Sequence, residues 1–144
     1  MRRILLCGMM LVGVTAIVVA AEEKKKDNIT QAPYAHVVIF RMKKDAPKDA
    51  VEKAIADCHE WLAGIKGVRC VRAGRPAAKG TRDIPGSGDV PKVEYDFALL
   101  VLVEDAAGLE TYLKHPQHLK FVDKHGPFFD MKKLQVFDFE NQTK

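Results

Sequence analysis

The chain has 144 residues, with 23 Lys and Arg against 19 Asp and Glu, a formal charge of +4, 47% apolar and 29% charged residues. That length holds one domain, and the composition excludes the collagen-like, disordered and polytopic membrane classes. Its Lys and Arg are scattered, and no zinc-finger, basic-zipper or aromatic RNA-binding pattern occurs, so nucleic acid is not an expected partner.

Met1-Arg2-Arg3 precedes an uncharged stretch from Ile4 to Ala21, and Glu22-Glu23-Lys24-Lys25-Lys26 follows it. This is the layout of a secretory signal peptide over residues 1–21, with small residues at Val18 and Ala20, or Val19 and Ala21, for cleavage. The expected product is exported, periplasmic or extracellular, and free of the membrane after cleavage. An uncleaved anchor is the alternative, because the stretch reaches the lower edge of bilayer-spanning length. Cleavage removes Arg2 and Arg3 and no acid, which lowers the net charge from +4 to +2.

Residues 22–33 are polar, without periodicity, and read as a flexible lead-in to a domain over 34–144. His36 to Met42 is a β-branched and aromatic run of strand length. Asp45-Ala46-Pro47 supplies a capping acid and a first-turn proline, after which Val51, Ile55, Cys58, Leu62 and Ile65 recur at helical spacing. Gly64 and Gly67 close that helix, and Val68 to Ala73 forms a second strand. Gly74 to Pro91 carries too many Gly and Pro for a regular element.

Glu94 to Val103 follows as the longest strand, apolar on both faces and therefore central. Asp105 caps a second helix bearing Leu109, Tyr112 and Leu113, which ends at His115 because Pro116 disfavours a helical residue before it. A short helical piece runs from Pro116 through Val122, and Leu134 to Phe139 is the last strand. The order β-α-β-β-α-β predicts an α+β sandwich of the ferredoxin-like type, a four-stranded antiparallel sheet with helices on one face. The other face, also apolar, needs a cover, and a second copy of the chain is the economical one, so a homodimer is expected.

Cys58 falls on the helix stripe and Cys70 in a strand. Both are expected as buried thiols, although the oxidising compartment permits a disulfide. Among the five histidines, His59 reads as solvated and His125 as a loop cap. The candidate site is Tyr112-Leu113-Lys114-His115-Pro116-Gln117-His118, two histidines flanking a proline turn with a tyrosine one helical turn earlier. Imidazole is the side chain best matched to proton transfer near neutral pH, and a phenol beside it can orient it or donate to an enolate oxygen. His36 alternates with Val38 and Phe40 and projects toward the same space. A structural reading stands beside this one, with His115 satisfying backbone groups at the helix break and Tyr112 packing as core. His115 and His118 with His36, His125 or Asp123 form a conceivable metal set, but a proline between two ligands is a poor clamp, and neither metal nor cofactor is expected.

His36-Val-Val-Ile-Phe-Arg-Met, Gly74-Arg-Pro-Ala, Tyr95-Asp-Phe-Ala-Leu-Leu-Val and Tyr112-Leu-Lys-His-Pro-Gln-His-Leu-Lys-Phe-Val together resemble the stress-responsive dimeric α/β-barrel (Dabb) domain family over His36 to Glu140. The resemblance implies a ferredoxin-like subunit that dimerises into a barrel. Plant members similar to olivetolic acid cyclase use a tyrosine and the second histidine of this motif for a cofactor-free ring closure. By that resemblance His118 is the general base, Tyr112 its orienting or oxyanion partner, and His36, His115 and Phe97 line a substrate pocket. The chain departs from that branch near Phe97, where a further pocket histidine would fall, which counts against polyketide cyclisation itself. The expected function is binding of a small aromatic or carbonyl-bearing molecule with cofactor-free cyclase-like or lyase-like chemistry; the alternative is a non-catalytic, stress-associated dimeric module.

Overall fold

The computed structural model describes residues 34–80, 83–86, 88 and 93–142. The expected signal peptide and lead-in, and residues 143 and 144, lie outside the described residues. The elements are β1 (Tyr34–Phe40), α1 (Ala50–Asp57) continuing into a π-helical turn (Cys58–Leu62), β2 (Val68–Gly74), β3 (Phe97–Val103), α2 (Ala106–Lys114), α3 (Pro116–His125), a short 3-10 turn (Gly126–Phe128) and β4 (Gln135–Glu140). The sheet order is β2-β3-β1-β4, with every pair antiparallel. β1 and β2 both run against β3 and are therefore parallel to each other, with α1 as their crossover, which is the ferredoxin-like arrangement. β1 and β3 are the central strands, as the apolar character of both faces of β3 requires.

The core lies between the sheet and the helices. Val38 and Phe40 of β1, Val71 of β2, and Phe97, Leu99, Val101 and Val103 of β3 pack against Val51, Ala54, Cys58, Leu62, Leu109, Tyr112 and Phe121. Phe40 and Phe97 are register partners, and their rings stack with centroids 4.2 Å apart. Phe129 tilts onto the Phe40 ring at 4.7 Å. The other face carries only a small cluster of Ala35, Cys70 and Leu102 with Leu100, and leaves Phe137 52% and Phe139 54% exposed. Cys58 and Cys70 are free and sit on opposite faces of the sheet, so no bridge joins them.

Element ends differ from the sequence reading for local reasons. The first helix begins at Ala50, not after Asp45, because residues 43–50 form successive turns in which Ala46 N–H donates to Lys43 O and Ala50 N–H to Pro47 O. β3 starts at Phe97 because the Asp96 carboxylate leaves the strand pattern to accept the Met42 N–H at 2.7 Å. Gly67 takes φ +91°, the left-handed conformation expected of it, and turns the chain into β2.

His125 is not the loop cap it reads as. It ends α3, is only 2% exposed, and its Nε2 lies 2.6 Å from Oδ2 of buried Asp57. Lys124 Nζ donates to the same oxygen at 2.7 Å and also lies over the Trp61 ring at 4.7 Å. The Asp57 cluster thus ties α1 to α3 across the helical layer. Burial alone would raise the Asp57 pKa, but hydrogen bonds from Lys124 and His125 outweigh it and hold the carboxyl below its ordinary value. Its contribution to stability is therefore present above pH about 4 and is lost as the pH falls through the depressed folded-state value. Replacing Asp57 by Ala leaves a buried imidazole and an ammonium without their partner and is expected to cost about 3 kcal/mol in urea unfolding at neutral pH, with the gap from wild type closing in acid. A gap that does not change between pH 7 and pH 3 would contradict this account.

Candidate functional site

The site is built by the break between α2 and α3. Asp105 caps α2, its Oδ1 accepting the Gly108 N–H at 2.7 Å, and the helix runs to Lys114. Pro116 has no N–H and its ring crowds the residue before it, so His115 turns to an extended conformation (ψ 139°) and becomes the N-cap of α3. His115 Nδ1 accepts the Gln117 N–H at 3.2 Å, which is the backbone role that the structural reading allowed it. Proline then occupies the first position of α3, where no intrahelical donor is needed.

This corner brings Tyr112, from the last full turn of α2, against His118, in the first turn of α3, with ring centroids 4.7 Å apart. Leu113 O, one of the carbonyls left open at a helix C-terminus, accepts a hydrogen bond from His118 Nδ1 at 2.9 Å. A carbonyl only accepts, so the proton sits on Nδ1 and neutral His118 keeps Nε2 as its basic nitrogen. Burial lowers the His118 pKa, the nearby His36 adds to that, and the Leu113 bond opposes it; the net direction favours the neutral base.

From the sheet, β1 contributes His36 on its helix-facing side, 6% exposed and with its ring 5.9 Å from that of Tyr112. Its Nδ1 lies 2.7 Å from Oδ1 of Asp138, its register partner on β4. His36, Tyr112 and His118 line one cavity of about 200 Å³, otherwise walled by apolar side chains including Val38, Phe40, Leu99, Phe121, Phe129 and Leu134. Leu113, Val122, Met131 and Val136 line it too and are partly exposed to solvent.

Tyr112 is 1% exposed, and its hydroxyl is closed off without a hydrogen-bond partner among the described residues. Burial, with the neighbouring Cys58 adding to it, pushes its pKa up, so the phenol stays protonated. Cys58 itself is pushed up to about 12, by burial and then by Asp57, which makes it an inert core thiol.

Of the residues singled out in the sequence, Tyr112, His118 and His36 converge, while His115 caps a helix and does not line the cavity. Phe97 does not line it either. The register that pairs it with Phe40 seats its ring wholly in the core, with the Phe40 ring stacked on it and Phe40 forming the wall instead. Asp138 was missed; its signal was an acid alternating with Val136 and so sharing that residue's face of the last strand. Among the described residues, no group of three or more His, Cys, Asp or Glu is placed to hold a metal ion. A wider hollow of about 340 Å³ on the opposite sheet face, lined by Val37, Tyr95, Ala98 and Leu100 among others, includes no histidine.

A buried donor without an acceptor costs stability, by about 1–3 kcal/mol where nothing solvates it. Tyr112→Phe is therefore expected to leave the ligand-free protein as stable as wild type or about 1 kcal/mol more stable in denaturant titration. A clear loss of stability would mean that the hydroxyl serves the fold.

Three solved structures illustrate the likeness of the fold. A dimeric ferredoxin-like protein of unknown function from Thermobifida fusca superimposes with a TM-score of 0.60 at 20% identity, covering 75% of this chain and 90% of that one. A Dabb family protein with a ferredoxin-like fold from Mesorhizobium loti gives 0.58 at 22% identity, covering 76% and 97%. The hydroxynitrile lyase of Passiflora edulis gives 0.59 at 14% identity, covering 79% and 97%. At these identities the likeness is one of fold. No curated protein matches the chain in sequence. Residues 34–141 match the stress-responsive A/B barrel domain, and the chain belongs to that family, Dabb.

Proposed function

We propose that this chain acts as an exported homodimer that binds a small aromatic or carbonyl-bearing molecule in the His36–Tyr112–His118 cavity and performs cofactor-free acid–base chemistry on it. The observation that carries this reading is His118, whose Nδ1 donates to the Leu113 carbonyl so that Nε2 is left as the basic nitrogen of a ring lining an otherwise largely apolar cavity beside Tyr112. The cavity volume of about 200 Å³ lies below the roughly 300 Å³ at the lower end of drug-sized sites, which favours a single ring with a short substituent.

In the proposed reaction, Nε2 of His118 takes a proton from the carbon next to the ligand carbonyl. The C–H electron pair becomes a C=C bond, and the carbonyl π pair moves onto oxygen, to which the Tyr112 O–H donates once the entering ligand has uncovered it. Return of a proton from His118 restores the ketone. Lyase chemistry named for the Passiflora neighbour is consistent with such a site. Export rests on the N-terminal sequence pattern alone. Dimerisation is supported by the exposed Phe137 and Phe139 on the uncovered sheet face and by the description of the Thermobifida neighbour as dimeric.

Acetophenone in D₂O provides the test, since uncatalysed exchange of its methyl protons near neutral pH is slow and a base acting with an oxyanion donor accelerates it. Wild-type protein is expected to catalyse deuterium incorporation, followed by proton NMR, and His118→Ala to lower the rate about 100-fold or more while remaining folded. Exchange at the same rate in both proteins would remove His118 from the chemistry. Absence of exchange and of any ligand-induced thermal stabilisation would favour the non-catalytic module. For the dimer, the unfolding midpoint is expected to rise with protein concentration; a constant midpoint with a monomer mass in sedimentation would rule it out.

A further inference from the structure

Among the described residues, the large apolar side chains left in water fall in three places. Ile84 and Val93 lie between β2 and β3, and Phe137 and Phe139 lie on the uncovered sheet face. The third group is Leu113 of α2, Leu119 and Val122 of α3, Met131 and Val136, which belong neither to the core nor to the face where a second copy would pack. Leu113, Val122, Met131 and Val136 border the cavity between helices and sheet, and Leu119 extends their patch, one turn before Val122 on the same side of α3. Met131 stands out furthest, 66% exposed, in the turn before β4. Soluble proteins seldom gather this many exposed apolar side chains round one opening without a partner for them.

Charge identifies the partner. The segment that carries the patch, residues 113–136, holds five lysines and two aspartates, a net charge of +3, whereas the chain without residues 1–21 totals +2. Lys114, Lys132 and Lys133 directly follow Leu113 and Met131 and are exposed, while Lys120 and Lys124 lie on the other flank of α3, over Trp61. Lys114 pairs with Glu110 and Lys133 with Asp130, but such solvent-facing pairs are weak and leave the ammonium groups available to a stronger field. A protein partner would call for aromatic anchors and arginine; none of the five apolar residues is aromatic, and the segment contains no arginine. Leucine, valine and methionine flanked by lysine match a bilayer interface instead. There the apolar side chains enter the acyl region, lysine stems lie along it, and the ammonium groups reach the lipid phosphates.

We propose that this patch is a peripheral docking surface for an anionic phospholipid membrane, and that docking sets the mouth of the cavity against the lipid. Among the described residues, no helix is long and apolar enough to cross a membrane, so the contact is a reversible one at the interface. A chain freed of residues 1–21 would return to the bilayer through it. The inference concerns the surface around the mouth and does not depend on the reaction proposed above.

The test is cosedimentation of the protein, recovered after expression of the full chain, with vesicles of phosphatidylcholine alone or mixed equally with phosphatidylglycerol. Wild type is expected to bind the anionic vesicles about tenfold more tightly than the neutral ones at low salt, and to lose most of that advantage in about 0.5 M NaCl. Leu119→Ser combined with Met131→Ser removes apolar contact without changing the charge, and is expected to weaken binding to the anionic vesicles about tenfold. Lys132→Gln combined with Lys133→Gln is expected to weaken it about fivefold and to flatten the salt dependence. Ile84→Ser, at an exposed apolar position outside the patch, is expected to bind as wild type does. All these positions are exposed, so each variant is expected to keep the wild-type melting temperature. Absence of binding to anionic vesicles, equal binding to both kinds, or binding that survives the Leu119 and Met131 double substitution would each overturn the assignment. Association beyond a dimer without lipid, lost in that same double variant, would give the patch to further copies of the chain and overturn it as well.

Discussion

The ring of Pro116, which crowds the residue before it, is the constraint on which the site depends. A continuous helix through residues 106–125 would place Tyr112 and His118 six positions apart, about 120° from each other around the cylinder and more than a turn apart along it. The proline forces His115 out of the helical region and restarts the chain as α3 at an angle, so both rings turn toward the sheet. The corner also leaves Leu113 O without an intrahelical donor, and His118 Nδ1 takes that place. One backbone defect therefore orients the imidazole, fixes its tautomer and sets it against the phenol. His115, the residue most directly constrained, is used up in capping and has no part in the cavity.

The packing around this corner divides into satisfied and unsatisfied parts. Beneath the helices, Asp57 is fully engaged by His125 and Lys124, and the Phe40, Phe97 and Phe129 rings close the far end of the core. A buried carboxylate beside an imidazole is tolerated there because both are paired, and the pair locks α1 to α3. Some 200 Å³ next to this well-packed region is left open, and the hydroxyl of Tyr112, whose ring lies beside it, is closed in without a partner among the described residues. Folding normally leaves few such groups, and they concentrate where a protein gives up local stability for a ligand.

The two faces of the sheet follow the same logic. The helix-facing side is filled by large side chains from β1 and β3, whereas the opposite side has a few small buried residues and two phenylalanines half in water on the edge strand β4. β4 thus has two kinds of surface, alternating by residue. Val136 lines the cavity and Asp138 shares its helix-facing side, while Phe137 and Phe139 lie on the opposite face.

The element order, the central place of β3, and the convergence of Tyr112 with His118 were legible in the sequence because each is a short-range consequence of periodicity, capping or proline chemistry. His36 was legible as well, by strand alternation. The Asp57–His125 and His36–Asp138 pairs, 68 and 102 residues apart in the chain, were not, since nothing local distinguishes an acid that will meet a histidine from one that stays in water. The same holds for Phe97, which belongs to an apolar strand in either reading, and only the register opposite Phe40 places it in the core rather than on the cavity wall. The sequence by itself determined which elements form and where the helical break falls, since these rest on backbone sterics and side-chain periodicity. The tertiary structure decided which polar groups are paired and which are left facing the cavity, because pairing depends on strand register and helix docking, and those are settled only when the whole core closes.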